Sequence, residues 1–582
     1  MRHRIRSRFA ILATLALLAT SILGGATATQ AASAPPNRVL IALFDQMLPK
    51  YADQFDMPNF RRIRDAGTSF KNAYLGYMAS ETVIAHNVIT SGQSPRHMGW
   101  VDEAYRDAGN VFAKGTDAMH ITGDLSLTDF GTLVNGEHYL KLADYLHAAY
   151  PGTKFITVGE KSYAVESATA ATGDIAVRLS SRRTNVTSDA PTGCRNLSVD
   201  GAGTFGRWRE PVGKAVPAYL RQPDATDPTL CGRFFINSDS NNDYGTKAAF
   251  PSWMYPEDGN RFFPGTDASA QTGHLGGDTW VADAAIAMMG AENWSGMFVT
   301  LGAIDKSAHM WGADADTAPQ NCASPTGQTH VRCAAENADV QLGKLLAAVA
   351  AVDAAKGGET LVVLTADHGA TFGQNFYGKP TSGAGDTNWY YAPNGVWDAG
   401  SAAAAIDTTT YNNPSPALAP LRATNNLSFV YGSTAVEAWL IDRTVPRMTE
   451  GAAAALELPG AIASYYRSGA GFQLYGTNKM TQPEKDWWRD HGQEIVDTMA
   501  SPNGPDIVAL MHDKTSYGVY GDHGGAQEAV QRVPMVFWSP SLAFGAQTGR
   551  PFRTLDMMPT ILAAMGIPLT GPVDGTARRL GH

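Results

Sequence analysis

Apolar residues in this chain come as short unbroken runs, not as alternating polar and apolar positions. Positions 39–44, 296–301 and 360–365 are such runs, rich in branched residues. A strand with one face in water alternates, so an unbroken run predicts a strand buried on both faces, as in the parallel sheets of α/β folds. Positions 155–158, 506–511 and 533–538 predict further strands of the same core. Helical spacing separates them. Positions 57–67 read as a helix with Pro58 in its first turn, Phe60 and Ile63 on one face and Gly67 at its end. Positions 82–89 read as a second helix stopped by Ser91 and Gly92, the Ala- and Leu-rich stretch 334–352 as a third, and 556–565 as a fourth. The expected architecture is α/β, with a mostly parallel central sheet and helices on both faces.

Two stretches interrupt this pattern. From about 107 to 279, and again from about 374 to 500, Gly, Asn, Asp, Ser and Thr dilute the periodic signals, apart from helical material around Trp487, Trp488 and Met499. Segments this long inside one domain are usually lids or subdomains. The expected organisation is a leader and linker in 1–34 and a catalytic domain in 37–582 carrying those two insertions. In the leader, Arg2, Arg4, Arg6 and Arg8 precede an apolar stretch at 11–23, and small residues at 26–28 or 32–34 offer a cleavage site. That pattern is a signal peptide, so export to an extracytoplasmic compartment is expected. The arginines alternate with other residues and form no adjacent pair. A membrane-spanning helix needs about 20 apolar residues; the leader falls short and no later segment approaches it, so no span is expected in the mature protein. Cys194, Cys231, Cys322 and Cys333 suit an oxidising compartment and allow three pairings. Pairing of neighbours, Cys194 with Cys231 and Cys322 with Cys333, is preferred, as structural disulfides without the spacing of a redox or zinc motif.

Composition narrows the function classes. At 582 residues and 44% hydrophobic content the chain can bury a large core, and its formal net charge of −10 argues against a nucleic-acid scaffold as partner. A small-molecule substrate is expected instead.

The chemistry gathers where the apolar runs stop. Asp45 follows the first run, Asp305 and His309 the second, Asp367 and His368 the third, and His523 precedes Gly524 and Gly525. In an open α/β sheet the carboxyl ends of the strands share one edge, so residues distant in sequence meet there around a ligand. Each motif alone has a plainer explanation: an Asp after a strand often caps a turn, and an acid and a histidine four apart can be a solvated pair. Their ordered combination is harder to obtain by chance. Carboxylate oxygens and imidazole nitrogens are the donors zinc prefers, and two ions about 3.5–4 Å apart can hold the attacking and leaving oxygens of a phosphoryl displacement.

In that order and spacing the chain resembles the alkaline phosphatase superfamily, in particular its type I phosphodiesterase and nucleotide pyrophosphatase branch. The resemblance covers the core segments and not the insertions. It implies an alkaline phosphatase-like fold and two zinc ions, other divalent metals being admissible, with Asp305, His309 and His523 on one ion and Asp45, Asp367 and His368, with Thr82, on the other. Thr82 stands ten residues before Gly92, where the family has its nucleophile; Ser80 is the competing hydroxyl, and His86 matches a histidine that is not a ligand. Lys161 aligns with a lysine that some family phosphatases direct at the phosphate, whereas the arginine expected two residues later is Tyr163. Residues 94–99 resemble the family's Pro-x-x-His-Gly turn, but the Asn expected after it, a donor to a phosphoryl oxygen, is replaced by a stretch containing Asp102 and Glu103. An acid there repels a dianionic phosphate unless it is protonated or turned away. A diester or pyrophosphate, with less charge on the reacting group, therefore fits better than a monoester. The alternatives are a sulfatase-like or phosphonate ester hydrolase, disfavoured because the sulfatase nucleophile frame is missing around Thr82, and a secreted module holding metal without catalysis.

Overall fold

The computed structural model describes residues 34–122, 125–169, 171–181, 209–221, 276–305, 308, 330–372, 374–376, 415–518 and 521–581. The leader, Cys194, Cys231, Cys322 and His309 lie outside the described residues, and with them the disulfide pairings. Cys333 is on the long helix His330–Lys356.

In chain order the strands are β1 (Arg38–Phe44), β2 (Thr68–Tyr74), β3 (Ala104–Asp107), β4 (Ala118–Ile121), β5 (Lys154–Gly159), β6 (Ile175–Ser181), β7 (Arg209–Lys214), β8 (Trp294–Leu301), β9 (Thr360–Thr365) and β10 (Gln374–Asn375). They continue with β11 (Leu427–Gly432), β12 (Ala435–Leu440), β13 (Ala461–Ser468), β14 (Gly471–Thr477), β15 (Ile507–Met511), β16 (Thr515–Ser516), β17 (Met535–Trp538) and β18 (Ala546–Arg553). A nine-stranded sheet in the order β18-β2-β17-β9-β1-β8-β5-β6-β7 forms the centre. β1 pairs in parallel with β8 on one side and β9 on the other, Ile41 facing Phe298 and Val363. The unbroken apolar runs follow from this position: Leu40, Ala42 and Phe44 enter one core, and Val39, Ile41 and Leu43 enter the other. Both faces of β1 are dry, and each such aliphatic side chain contributes roughly 1.5–3 kcal/mol of burial.

Not every strand runs with the others. β17 is antiparallel to both β9 and β2, and β7 is antiparallel to β6 at the edge. A continuous apolar strand signals burial without signalling direction, so the sequence pattern predicts the sheet and not the polarity of these two members. Within the stretch that reads as irregular, β5, β6 and β7 extend the central sheet. The expected 506–511 strand forms as β15 but stands elsewhere. It is the middle strand of a separate five-stranded antiparallel sheet, β11-β12-β15-β13-β14, backed by the helix Val445–Leu456. Periodicity cannot separate two buried sheets, because the signal is burial in both cases.

The second sheet is locked to the small β3–β4 hairpin that carries Arg106. Asp506, wholly buried, accepts from Arg106 Nη2 at 2.7 Å, from the Leu440 N–H at 2.8 Å and from Arg467. Removing either arginine leaves this buried carboxyl with one guanidinium fewer and the remaining pair under-compensated. Among the described residues no helix is long and apolar enough to cross a membrane.

Candidate active site

Three loops leave the carboxyl ends of β1, β8 and β9 and carry Asp45, Asp305 and Asp367, all at most 1% exposed. His368 follows Asp367 and is wholly buried, and His523 arrives on the loop ahead of the short helix Glu528–Gln531. Its ring stacks on that of His368 with centroids 3.7 Å apart. Two groups of ligand-type atoms result, Asp45 with Asp367 and His368, and Asp305 with His368 and His523, the atoms of each lying within 4.8 Å of one another. His368 belongs to both.

Thr82 begins the helix Thr82–Ser91, whose ten residues are all buried and whose C-terminus is stopped by Gly92 in a left-handed conformation. The helix extends two residues beyond the expected 82–89. Its first bond is Ala85 N–H to the Glu81 carbonyl, so the Thr82, Val83 and Ile84 amides have no partner inside the helix. Thr82 Oγ1 lies 3.2 Å from His368 Nε2 and accepts from Lys161 Nζ at 2.9 Å. The same ammonium is 2.6 Å from Asp305 Oδ2 and 2.8 Å from Asp45 Oδ2. Burial pulls Lys161 down, but Asp305, Asp45 and Asp367 outweigh it and hold the amine above the ordinary lysine value. It is a fixed cation.

The tautomer of His368 follows from its neighbours. Burial lowers its pKa against the pull of Asp367 and Asp305, which favours the neutral ring. Nδ1 lies 3.0 Å from the Gly369 carbonyl, an atom that can only accept, so Nδ1 carries the hydrogen and Nε2 presents its lone pair to Thr82 and the acids. Burial and then Asp305 and Asp367 push the Asp45 carboxyl well above its usual range, although Lys161 pulls it down. Asp45 Oδ1 and Asp367 Oδ2 accept no hydrogen bond from a described residue. Buried carboxyl oxygens, an imidazole with Nε2 turned inward and a stack of two histidines form a donor set suited to divalent cations such as zinc.

The other candidates fall into place around this centre. His86 is a brace: Nδ1 is 2.6 Å from the Thr82 carbonyl and Nε2 is 2.8 Å from Thr300 Oγ1, and burial takes its pKa down to about 4. Tyr163 turns away and donates to the Leu125 carbonyl at 2.8 Å. Asp102 does not face the site as a free anion either. It is 2% exposed, and burial pushes it up to about 6 despite hydrogen bonds with Glu437 and Glu81. Burial and the neighbouring carboxyls hold Glu81 and Glu437 well above the usual range, so these acids share protons, and Tyr431 donates to Glu81 Oε1 at 3.1 Å.

Ser80, the competing hydroxyl, has a different occupation. Its Oγ accepts from the Gly525 N–H at 2.8 Å and the Gly524 N–H at 3.1 Å and donates to the Gly525 carbonyl at 3.1 Å. It straps the His523 loop to the segment that starts the Thr82 helix. Gly524 permits this approach: its φ is 83°, and a Cβ there would lie 2.7 Å from Glu81 Oε1. Ser80→Ala leaves the buried Gly525 N–H without its acceptor, whereas the Gly524 N–H keeps the Ser80 carbonyl at 3.1 Å; the expected cost is about 1–3 kcal/mol in stability and a fall in kcat of about tenfold. Thermal unfolding and steady-state rates check this; complete loss of turnover with unchanged stability would instead make Ser80 the nucleophile. Sequence spacing cannot reveal the strap, since it joins positions more than 400 apart, although the paired glycines after His523 mark a close approach of backbone.

A family model for type I phosphodiesterases / nucleotide pyrophosphatases matches residues 39–381, more than half of the chain and the segment that bears Asp45, Thr82, Lys161, Asp305 and the Asp367–His368 pair. The chain belongs to this family. It is thus a phosphoric ester hydrolase of the alkaline phosphatase superfamily. The alkaline phosphatase PhoD of Zymomonas mobilis subsp. mobilis is 22% identical over 549 residues, which span 88% of this chain and 81% of that one. Among solved structures, wild-type alkaline phosphatase PafA superposes with a TM-score of 0.53 at 14% identity, covering 93% of this chain and 98% of PafA. A multiply substituted variant of PafA gives 0.56 at the same identity and coverage. These likenesses agree with the mostly parallel sheet and its flanking helices, so for this type I phosphodiesterase family member the expected alkaline phosphatase-like fold holds.

Proposed function

We propose that this family member is an exported, two-metal hydrolase in which Thr82 is the nucleophile and a phosphodiester or pyrophosphate the preferred substrate. The observation that carries the reading is the place of Thr82 Oγ1, at a buried helix N-terminus, 3.2 Å from His368 Nε2 and within hydrogen-bonding distance of Lys161. Asp45, Asp367 and His368 with Thr82 would hold one ion, and Asp305 and His523, with His309, the other. Such ions supply Lewis acidity and lower the pKa of a bound hydroxyl or water. The chain's own contribution is orientation and charge. His368, its Nδ1–H given to Gly369, keeps Nε2 on the Thr82 side. Lys161 stabilises the ionised hydroxyl of Thr82 and the charge that develops on phosphorus oxygens, and the free amides at the helix start add fixed donors. Attack of Thr82 Oγ1 on phosphorus forms the Thr–O–P bond as the P–O bond to the leaving alcohol or phosphate breaks, giving a phosphothreonine that, from a diester, keeps one ester group; water then attacks the same phosphorus, breaks the Thr–O–P bond, releases the monoester and returns the proton to Thr82.

The diester preference rests on what the described residues place near Thr82. Lys161 is a cation there, Tyr163 in the arginine position points elsewhere, and Asp102 in the asparagine region is bound into a carboxyl cluster. A dianionic monoester asks for more positive charge than this. The test is metal analysis of the purified mature protein together with rates on aryl phosphate, aryl phosphodiester and aryl sulfate. Bound zinc with the diester turned over fastest is the expected result; turnover of the sulfate alone would contradict the reading.

A further inference from the structure

Gln46 breaks a local rule at the centre of the site. It follows Asp45 in a tight turn closed by Met47 N–H to the Phe44 carbonyl at 3.1 Å, and its φ is 63°. Turns with positive φ at this third position favour glycine, so a glutamine is held there against its backbone preference. It is wholly buried. Its backbone N–H donates to Asp367 Oδ1 at 3.1 Å, and its side-chain Nε2 donates to the Gly521 carbonyl at 2.8 Å. Its Oε1 makes no hydrogen bond with a described residue, so the amide is kept for its donor at the cost of a buried acceptor. Local rules broken without a packing reason point to function.

The two bonds reach two different ligand groups. Asp367 belongs with Asp45 and His368, whereas Gly521 lies two residues before His523, which belongs with Asp305. Gly521 also has φ 60°, and a Cβ on it would lie 2.1 Å from the Ala308 carbonyl, so this loop runs against the backbone next to His309. Fixing the Gly521 carbonyl therefore fixes the loop that carries His523 and its approach to the Asp305 segment.

We propose that Gln46 is a positioning residue that couples the two ligand groups: its main chain sets Asp367 and its side chain sets the His523 loop. The inference rests on reading the site as a two-metal centre. It acts through ligands and touches no reacting atom. Two variants separate the roles. Gln46→Gly suits the turn and keeps the N–H but removes the side chain; Gln46→Leu keeps much of the volume but removes the donor.

The experiment is a zinc titration of the metal-free full chain against a chelating dye, with the melting temperature of each metal-free protein recorded. Both variants are expected to keep one tightly held ion and to bind the second about 10- to 100-fold more weakly, while metal-free Gln46→Gly melts no lower than wild type. Wild-type affinity for both ions in either variant overturns the proposal. So does equal weakening of both ions with a lowered melting temperature in Gln46→Gly, which would make Gln46 a fold residue only. A wild-type protein that binds no divalent ion contradicts the two-metal reading itself, a separate outcome read from the control.

Discussion

Thr82→Ala removes hydrolysis, by about 10³-fold or more, and leaves the metal content of the protein unchanged. The magnitude follows from the division of labour at the site. Lys161, the ligand groups and the helix amides remain in the variant and still bind and polarise an ester, so residual turnover by water is expected. What disappears is the covalent route. Stability changes little, because among the described residues the hydrogen-bond partners of Thr82 Oγ1 are Lys161 and His368, both held by other partners. Rates on an aryl phosphodiester, with metal counted in the same preparation, check the result. Unchanged turnover would remove Thr82 from the mechanism, and loss of metal together with activity would make it a ligand first and a nucleophile second.

His368→Ala has the broadest expected effect of any single ligand change. Asp45 serves one group and His523 the other, whereas His368 is shared by both and stacks on His523. The substitution opens a cavity at a wholly buried position, removes the imidazole that would hold the ion beside Thr82 and takes away the ring on which His523 stacks. At least one ion is expected to be lost, and activity with it. Because ions stabilise the state that binds them, the melting temperature of the variant in zinc should fall toward that of chelator-treated wild-type protein. Calorimetry with and without zinc measures this. Retention of both ions and of the zinc-dependent rise in melting temperature would show that the histidine is a packing residue.

The sequence carries the site better than the surroundings that assemble it. Asp45, Asp305 and Asp367 are legible because each ends an apolar run, and strand ends in an α/β sheet must share an edge. The helix at Thr82 is legible because Gly92 stops it. Gln46 and Ser80 are not, since their importance lies in contacts to Gly521, Gly524 and Gly525 far along the chain, and such pairings leave no periodic trace. β15 illustrates the same limit for the fold: its five buried residues read as core, and nothing in them distinguishes the small antiparallel sheet from the large one. Asp102 shows a third kind. Its residue type suggests repulsion of phosphate, but burial raises its pKa to about 6 and hydrogen bonds tie it to Glu437 and Glu81, an environment made by segments that only the fold brings together.

The central claim is that Thr82 takes the phosphoryl group during turnover. The direct measurement is acid quenching of the zinc-loaded enzyme during hydrolysis of an aryl phosphodiester, followed by peptide mass analysis. The account predicts one added phosphoryl-type group, located on Thr82 and absent from Thr82→Ala. An adduct on Ser80 or another residue, or steady turnover with unmodified Thr82 at every quench time, would contradict it.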